Sequence, residues 1–221
     1  MKFGLVVSAV SGVALCASTA AAQVCQGDLS FRNSSRHLGA ALAVSNNVTS
    51  FGGGATFGHR EGLYAGGSVG INSYSNNAGN GVALNGALGY AMPMQKRSTW
   101  QVCPGATLSL GFGPSQTVGG NTAHLSTQTM TLGASVGTAL PLSKTVNLLP
   151  FGSAAFGYTR VAVKTNGNSA SATDSYLLLG MGAGFQLTPS LVLRPALSLA
   201  AGADMIDDTV FGLSVSFALP H

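Results

Sequence analysis

The chain has 221 residues and a formal charge of +4, with 46% hydrophobic residues but only 7% Asp, Glu, Lys and Arg, where soluble domains carry about 25% charged residues. So few charges cannot cover a water-facing surface of this size, and so many apolar residues exclude a disordered chain. The pI near 9.2 comes without any stripe of Lys and Arg, which excludes a grip on nucleic acid.

Lys2, the apolar run from Gly4 to Leu15 and the small residues Ala20-Ala21-Ala22 read as an export signal over 1–22, cleaved before Gln23. The run is too short for a membrane-spanning helix, which takes about 20 apolar residues. Lipidation at Cys16 is the alternative, but Leu15 stands where lipoprotein processing prefers a small residue. Residues 23–35 form a short periplasmic or lumenal segment. Its Cys25 and the later Cys103 are the two cysteines that outlast cleavage, and an even pair in an exported chain suggests a disulfide.

From residue 36 to 221 apolar residues alternate with small or polar ones, the period of strands. Turn residues at 45–47, 59–62, 75–80, 93–97, 113–124, 141–145, 165–174, 188–190 and 202–208 divide this region into ten strands. The first two, near 37–45 and 48–58, meet at a turn as short as Asn46-Asn47, and losing that hairpin would leave eight. Segment 63–74 sets Leu63, Val69 and Ile71 against Tyr64, Ser68 and Asn72. Segment 81–92 sets Val82, Leu84, Leu88, Tyr90 and Met92 against Ala83, Asn85 and Gly89. In 100–113, Trp100, Leu108, Leu110 and Phe112 oppose Gln101, Cys103, Thr107 and Ser109, and in 177–187 Leu177, Leu179, Met181 and Phe185 oppose Gly180, Gly182 and Gly184.

A soluble barrel would put Lys and Glu on its second face. Here that face is Gly, Ser, Thr, Ala and Asn, which fits a narrow lumen, so the large apolar residues face acyl chains. Unsatisfied backbone groups in lipid forbid an open edge, so the predicted fold is a closed antiparallel up-and-down transmembrane β-barrel with both termini on the periplasmic side. Long external loops and short periplasmic turns are expected. Pro104, Pro150 and Pro195 fall on the outward face, where bulges would accommodate them. Trp100 and Tyr90 are placed in an interfacial aromatic girdle.

The last segment closes with Phe211-x-Leu213-x-Val215-x-Phe217, and here the chain resembles small bacterial outer-membrane β-barrel proteins of the OmpX-like and OmpA-transmembrane-domain type. It departs from their usual aromatic end by continuing through Leu219, Pro220 and His221. The resemblance implies an integral outer-membrane location, insertion by barrel-assembly machinery, and contact with outer-membrane lipid and lipopolysaccharide. It also implies a role among porin-like, adhesive, structural and occasionally enzymatic barrels.

A Cys25–Cys103 bond would pin the N-terminal segment in the periplasmic mouth, as a plug or as a plain tether. Arg194, Gln101 and Asn85 face the lumen, and Asp28 could neutralise the Arg194 guanidinium. Asp174, Asp204, Asp207, Asp208 and His124 fall on predicted external loops. Omptin-type hydrolases use acids and a histidine at this rim, but no diagnostic spacing is present, and Asp207-Asp208 could instead meet a divalent cation or lipopolysaccharide. Gly180-x-Gly182-x-Gly184 is the small face of a strand, and His37, His59, His124 and His221 show no metal-ligand spacing. The expectation is a barrel with no cofactor and no enzymatic activity, either a narrow pore for small solutes or a structural or adhesive barrel.

Overall fold

Alternating side chains along an extended backbone put one residue set on each side of a sheet. That pattern produces ten long strands: β1 Arg36–Val44, β2 Val48–Gly58, β3 Leu63–Tyr74, β4 Gly79–Tyr90, β5 Gln101–Val118, β6 Asn121–Gly137, β7 Asn147–Thr165, β8 Asn168–Thr188, β9 Leu191–Ala201 and β10 Thr209–Ala218. Each pairs antiparallel with the next, and β10 returns to β1 from His37↔Ala218 to Val44↔Phe211, which closes the ring. Met92–Pro93 and Leu140–Pro141 add two-residue bridges on β5 and β7. The ten-strand count holds, including the short β1–β2 hairpin, and the eight-strand alternative is excluded. The computed structural model describes residues 24–28, 31, 34–59, 62–75, 79–94, 99–118, 121–165 and 168–219, with the backbone alone at 116–118 and 121. The expected export signal and Pro220-His221 lie outside the described residues.

Leu108, Leu179 and Leu213 are 45%, 39% and 39% exposed, so they look away from the axis; in a water-soluble carrier they would converge in a core. Ser50, Asn72, Ala83, Ser109 and Thr159 are buried on the inner face. On β8 the outward face stays apolar from Leu187 to Leu177, about 33 Å along the strand and about 25 Å of height at a typical tilt near 40°, which matches the lipid band of a barrel.

Two sequence expectations change. The loops predicted at 113–124 and 165–174 are strand: β5 and β6 continue to Val118 and from Asn121, and β7 pairs with β8 up to Thr165↔Asn168. Above the lipid band neither face needs to be apolar, so a strand with two polar faces carries no alternation and reads as a loop. The two longest connections accordingly lie at the end that holds the termini, at 91–100 and 138–146, and the far end keeps the expected loop at 202–208.

The prolines sit in no bulge; register is continuous through them, and one neighbouring ladder opens instead. Pro104 lies between the last β4 pair, Gly89↔Gly105, and the bridge pair Met92↔Val102. Pro150 lies past the last β6 pair, Gly137↔Phe151. Pro195 falls in the gap between Gly182↔Ala196 and Phe185↔Leu193. A residue without an N–H is tolerated where no partner strand asks for one.

Candidate functional site

The N-terminal segment folds into the barrel at the terminal end. Val24–Gln26 form one 3-10 turn against β5, β6 and β7, and Gly27 turns the chain with a φ of 71°. Cys25 bonds to Cys103 on the inner face of β5, with their Cα atoms 6.0 Å apart. The wall opposite is glycine where the segment touches it: a Cβ at Gly137 would meet the Val24 carbonyl, one at Gly184 the Gly27 carbonyl, and one at Gly58 the Phe31 ring.

Polar groups fix the segment's orientation. The Arg194 guanidinium donates from Nε to Ser214 Oγ at 3.0 Å and from Nη1 to the Gln26 carbonyl at 2.9 Å. It also lies over the Phe151 ring, 5.7 Å from its centroid. Gln26 Nε2 donates to the Tyr64 hydroxyl at 2.9 Å. Asp28 accepts from Ser216 Oγ at 2.8 Å, and its charge acts on both Arg194 and His37. Phe31 stacks on His37 with 4.5 Å between ring centroids. Covalent, ionic and stacking contacts together make this segment a seated plug.

Beyond the plug the inner wall is laced by short polar links between register partners on neighbouring strands: Thr107 with Thr131, Asn85 with Ser68 and Ser109, Ser50 with Asn72, and Thr129 with Thr159. A cavity of about 140 Å³ remains between them, lined by Gln26, Tyr64, Thr107, Thr131, Ser153 and Arg194. Two inward tyrosines enter the lumen where glycine faces them across the ladder: Tyr64 over its register partner Gly89, Tyr176 over Gly157.

At the far end the β9–β10 connection folds over the mouth. Met205 is buried against Val161 and Leu125. Asp174 Oδ2 accepts from the backbone N–H groups of Asp204 and Met205 at 2.9 and 3.0 Å, and Asp207 accepts from the Asn47 backbone and side-chain amides at 3.2 and 2.6 Å. Residues 202–208 are thus a lid laced to β8 and to the β1–β2 turn. Past it, β5–β8 stand up as a wall whose β8 edge has no strand beside it until Leu177↔Ala201.

The expected residues distribute as follows. Cys25 and Cys103 join, Arg194 and Asn85 face the lumen, and Gln101 opens β5 with its amide oxygen buried and without a hydrogen-bond partner among the described residues. Asp28 acts on the Arg194 guanidinium through its charge, and the guanidinium also bonds Ser214 and the Gln26 carbonyl. Trp100 and Tyr90 are exposed at the terminal rim. Asp204, Asp207 and Asp208 lie on the lid. His124 is not on a loop: it sits on the outward face of β6, bonded through Nδ1 to Ser115 Oγ at 2.8 Å, because the β5–β6 hairpin continues past it. Asp174 points inward from β8, so histidine and acids look to opposite sides of the wall. No group of three potential metal ligands occurs among the described residues. The Phe31–His37 stack and the seats at Gly89 and Gly157 escaped sequence reasoning; an aromatic on a small-residue face is the signal that could have found the last two.

Residues 9–218 match the family model described as "Outer membrane protein beta-barrel domain". No curated relative matches the chain in sequence. Among solved structures, the chain is similar to the attachment invasion locus protein Ail of Yersinia pestis, with 12% identity over 83% of this chain and 95% of that one and a TM-score of 0.44. It is also similar to the N-terminal β-barrel domain of Pseudomonas aeruginosa OprF, with 13% identity, 85% and 98% coverage and a TM-score of 0.38. The Escherichia coli outer membrane protease OmpT gives 6% identity, 84% and 94% coverage and a TM-score of 0.47.

Proposed function

Since the chain belongs to the outer membrane protein beta-barrel domain family, we propose that it is a closed, non-conducting membrane anchor that presents the β5–β8 wall to partners outside the cell. The carrying observation is the wall itself. Its two hairpins rise beyond the lipid band, and along Asn168–Thr173 the β8 edge pairs with β7 alone. A free edge offers N–H and C=O groups to another extended chain, and native proteins usually blunt such edges with charge or proline. Pro114 does so on the β5 side, whereas Asn168-Ser169-Ala170-Ser171-Ala172-Thr173 holds neither. Closure is supported by the plug at one mouth and the lid at the other. A non-enzymatic role is supported by the separation of His124 from the acids and by the engagement of Asp174 and Asp207 in holding the lid.

A narrow solute pore is the second reading, favoured by the lumen cavity of about 140 Å³. Two measurements divide the readings. The refolded protein in a planar bilayer should be silent, and steady single-channel conductance would reject the anchor. A Ser171→Cys variant on intact cells should react with a membrane-impermeant maleimide; protection there would show that the wall is not presented.

A further inference from the structure

We propose that the free β8 edge takes one extended peptide segment of another protein, antiparallel to Asn168–Thr173, with a Lys or Arg at its lid end and bulky apolar residues at the next two alternate positions. This deepens the reading that the wall is presented outside the cell, and rests on it. Register puts Ala170, Val163 and Leu125 in one inward row across β8, β7 and β6, and Ala172, Val161 and Thr127 in the next. Side chains shrink toward the edge along these rows: Val161 and Leu125 pack on Met205 of the lid, while Ala170 and Ala172 are exposed. The result is a shallow shelf beside the edge. A large side chain on an added strand, opposite Ala170 or Ala172, fills it by lying over the alanine toward the valine behind.

Charge complements such a segment at one end. β8 runs from the tip of the wall down toward the membrane, so an antiparallel strand starts at the lid and ends at the tip. Asp174 is the inward residue next below Ala172, and it accepts from the backbone N–H of Asp204, so the exposed Asp204 stands at the foot of the free edge. A cation at the first inward position of the peptide meets Asp204 there, and the next two inward positions face Ala172 and Ala170. Arg160 and Lys164 lie on the other face of the sheet, with Phe156 and Tyr158, and do not oppose it. A second copy of the chain fits worse. In one membrane its β8 edge runs the same way and joins only with the inner face reversed. Its β5 edge runs the opposite way, but carries Pro114 and the register shift between Phe112 and Ser115.

Fluorescence anisotropy of the refolded full chain in detergent, with a labelled peptide of the pattern Arg-Thr-Ile-Thr-Ile-Thr, tests the site. N-methylation of one alternate set of peptide amides should abolish binding and of the other set leave it intact, because only one set faces the β8 ladder. An isomer with the two isoleucines adjacent should bind about tenfold more weakly, having lost one from the shelf. Asp204→Asn, which keeps the backbone bond to Asp174, should weaken the Arg peptide about threefold, the size of one exposed ion pair, and leave a Gln peptide unchanged. Equal binding of the isomer, or the same response to both methylated sets, would overturn the proposal. A peptide-free protein that sediments as a dimer, dispersed by the peptide, would give the edge to a second copy instead. Sidedness plays no part in micelles, so absent binding with intact Ser171→Cys labelling on cells overturns this site alone, and binding with protected labelling overturns the exterior placement alone.

Discussion

Tyr64 occupies the lumen because Gly89 leaves it room. A Cβ at Gly89 would fall on the Tyr64 ring, and Tyr64 is buried with its hydroxyl held by Gln26, so the ring has nowhere to go. Gly89→Val should therefore destabilise the barrel by about 1–3 kcal/mol, the usual cost of overpacking. Gly86→Ala, where nothing lies within 4 Å of the new methyl, should be neutral. Urea unfolding midpoints of the two variants in the same detergent check this, and equal midpoints would remove Gly89 from its assigned role. The inward or outward direction of almost every strand residue was legible from alternation alone. Which inward tyrosine meets which glycine was not, because that depends on the register between strands, and single-strand periodicity holds no register.

Among the elements, the plug and the lid differ most in legibility. The plug announced itself through Cys25 and through the parity that puts Cys103 inside. The lid did not, since Asp204, Asp207 and Asp208 are ordinary loop residues whose partners Asn47 and Asp174 lie 160 and 30 positions away from the groups they bond. The disulfide spans 78 residues, and closing a loop of that size restricts the unfolded chain by about 4.5 kcal/mol on chain-entropy grounds. Cys25→Ser should lower stability by no more than that, because Arg194, Tyr64 and Ser216 still hold the segment. It should also abolish the reduction-dependent gel shift and raise amide exchange at residues 24–28. If exchange there stays as slow as in the wild type, the bond is a redundant tether.

At the scale of the whole molecule, closure is a property of both mouths together. Asp207→Ala frees the lid from Asn47, and Cys25→Ser loosens the plug, but each leaves the other barrier in place. Either change alone should leave a bilayer silent, and the two combined should produce measurable ion conductance; conductance from either single variant would mean that only one barrier matters. The architecture was readable from composition, since a chain with 7% charged residues and clean two-residue alternation has few other ways to satisfy its backbone. The height of the β5–β8 wall was hidden, because hydrophobic patterning stops at the end of the lipid band while hydrogen bonding does not.

The glycine seats under Val24, Gly27 and Phe31 carry a consequence for assembly. They belong to β2, β6 and β8, three separated staves of one cask, and all of them contact the same short segment. A plug fitted to so many staves, and riveted to a fourth, cannot be pushed in once the cask is hooped; the seam between the first and last staves has to shut around a centre that is already occupied.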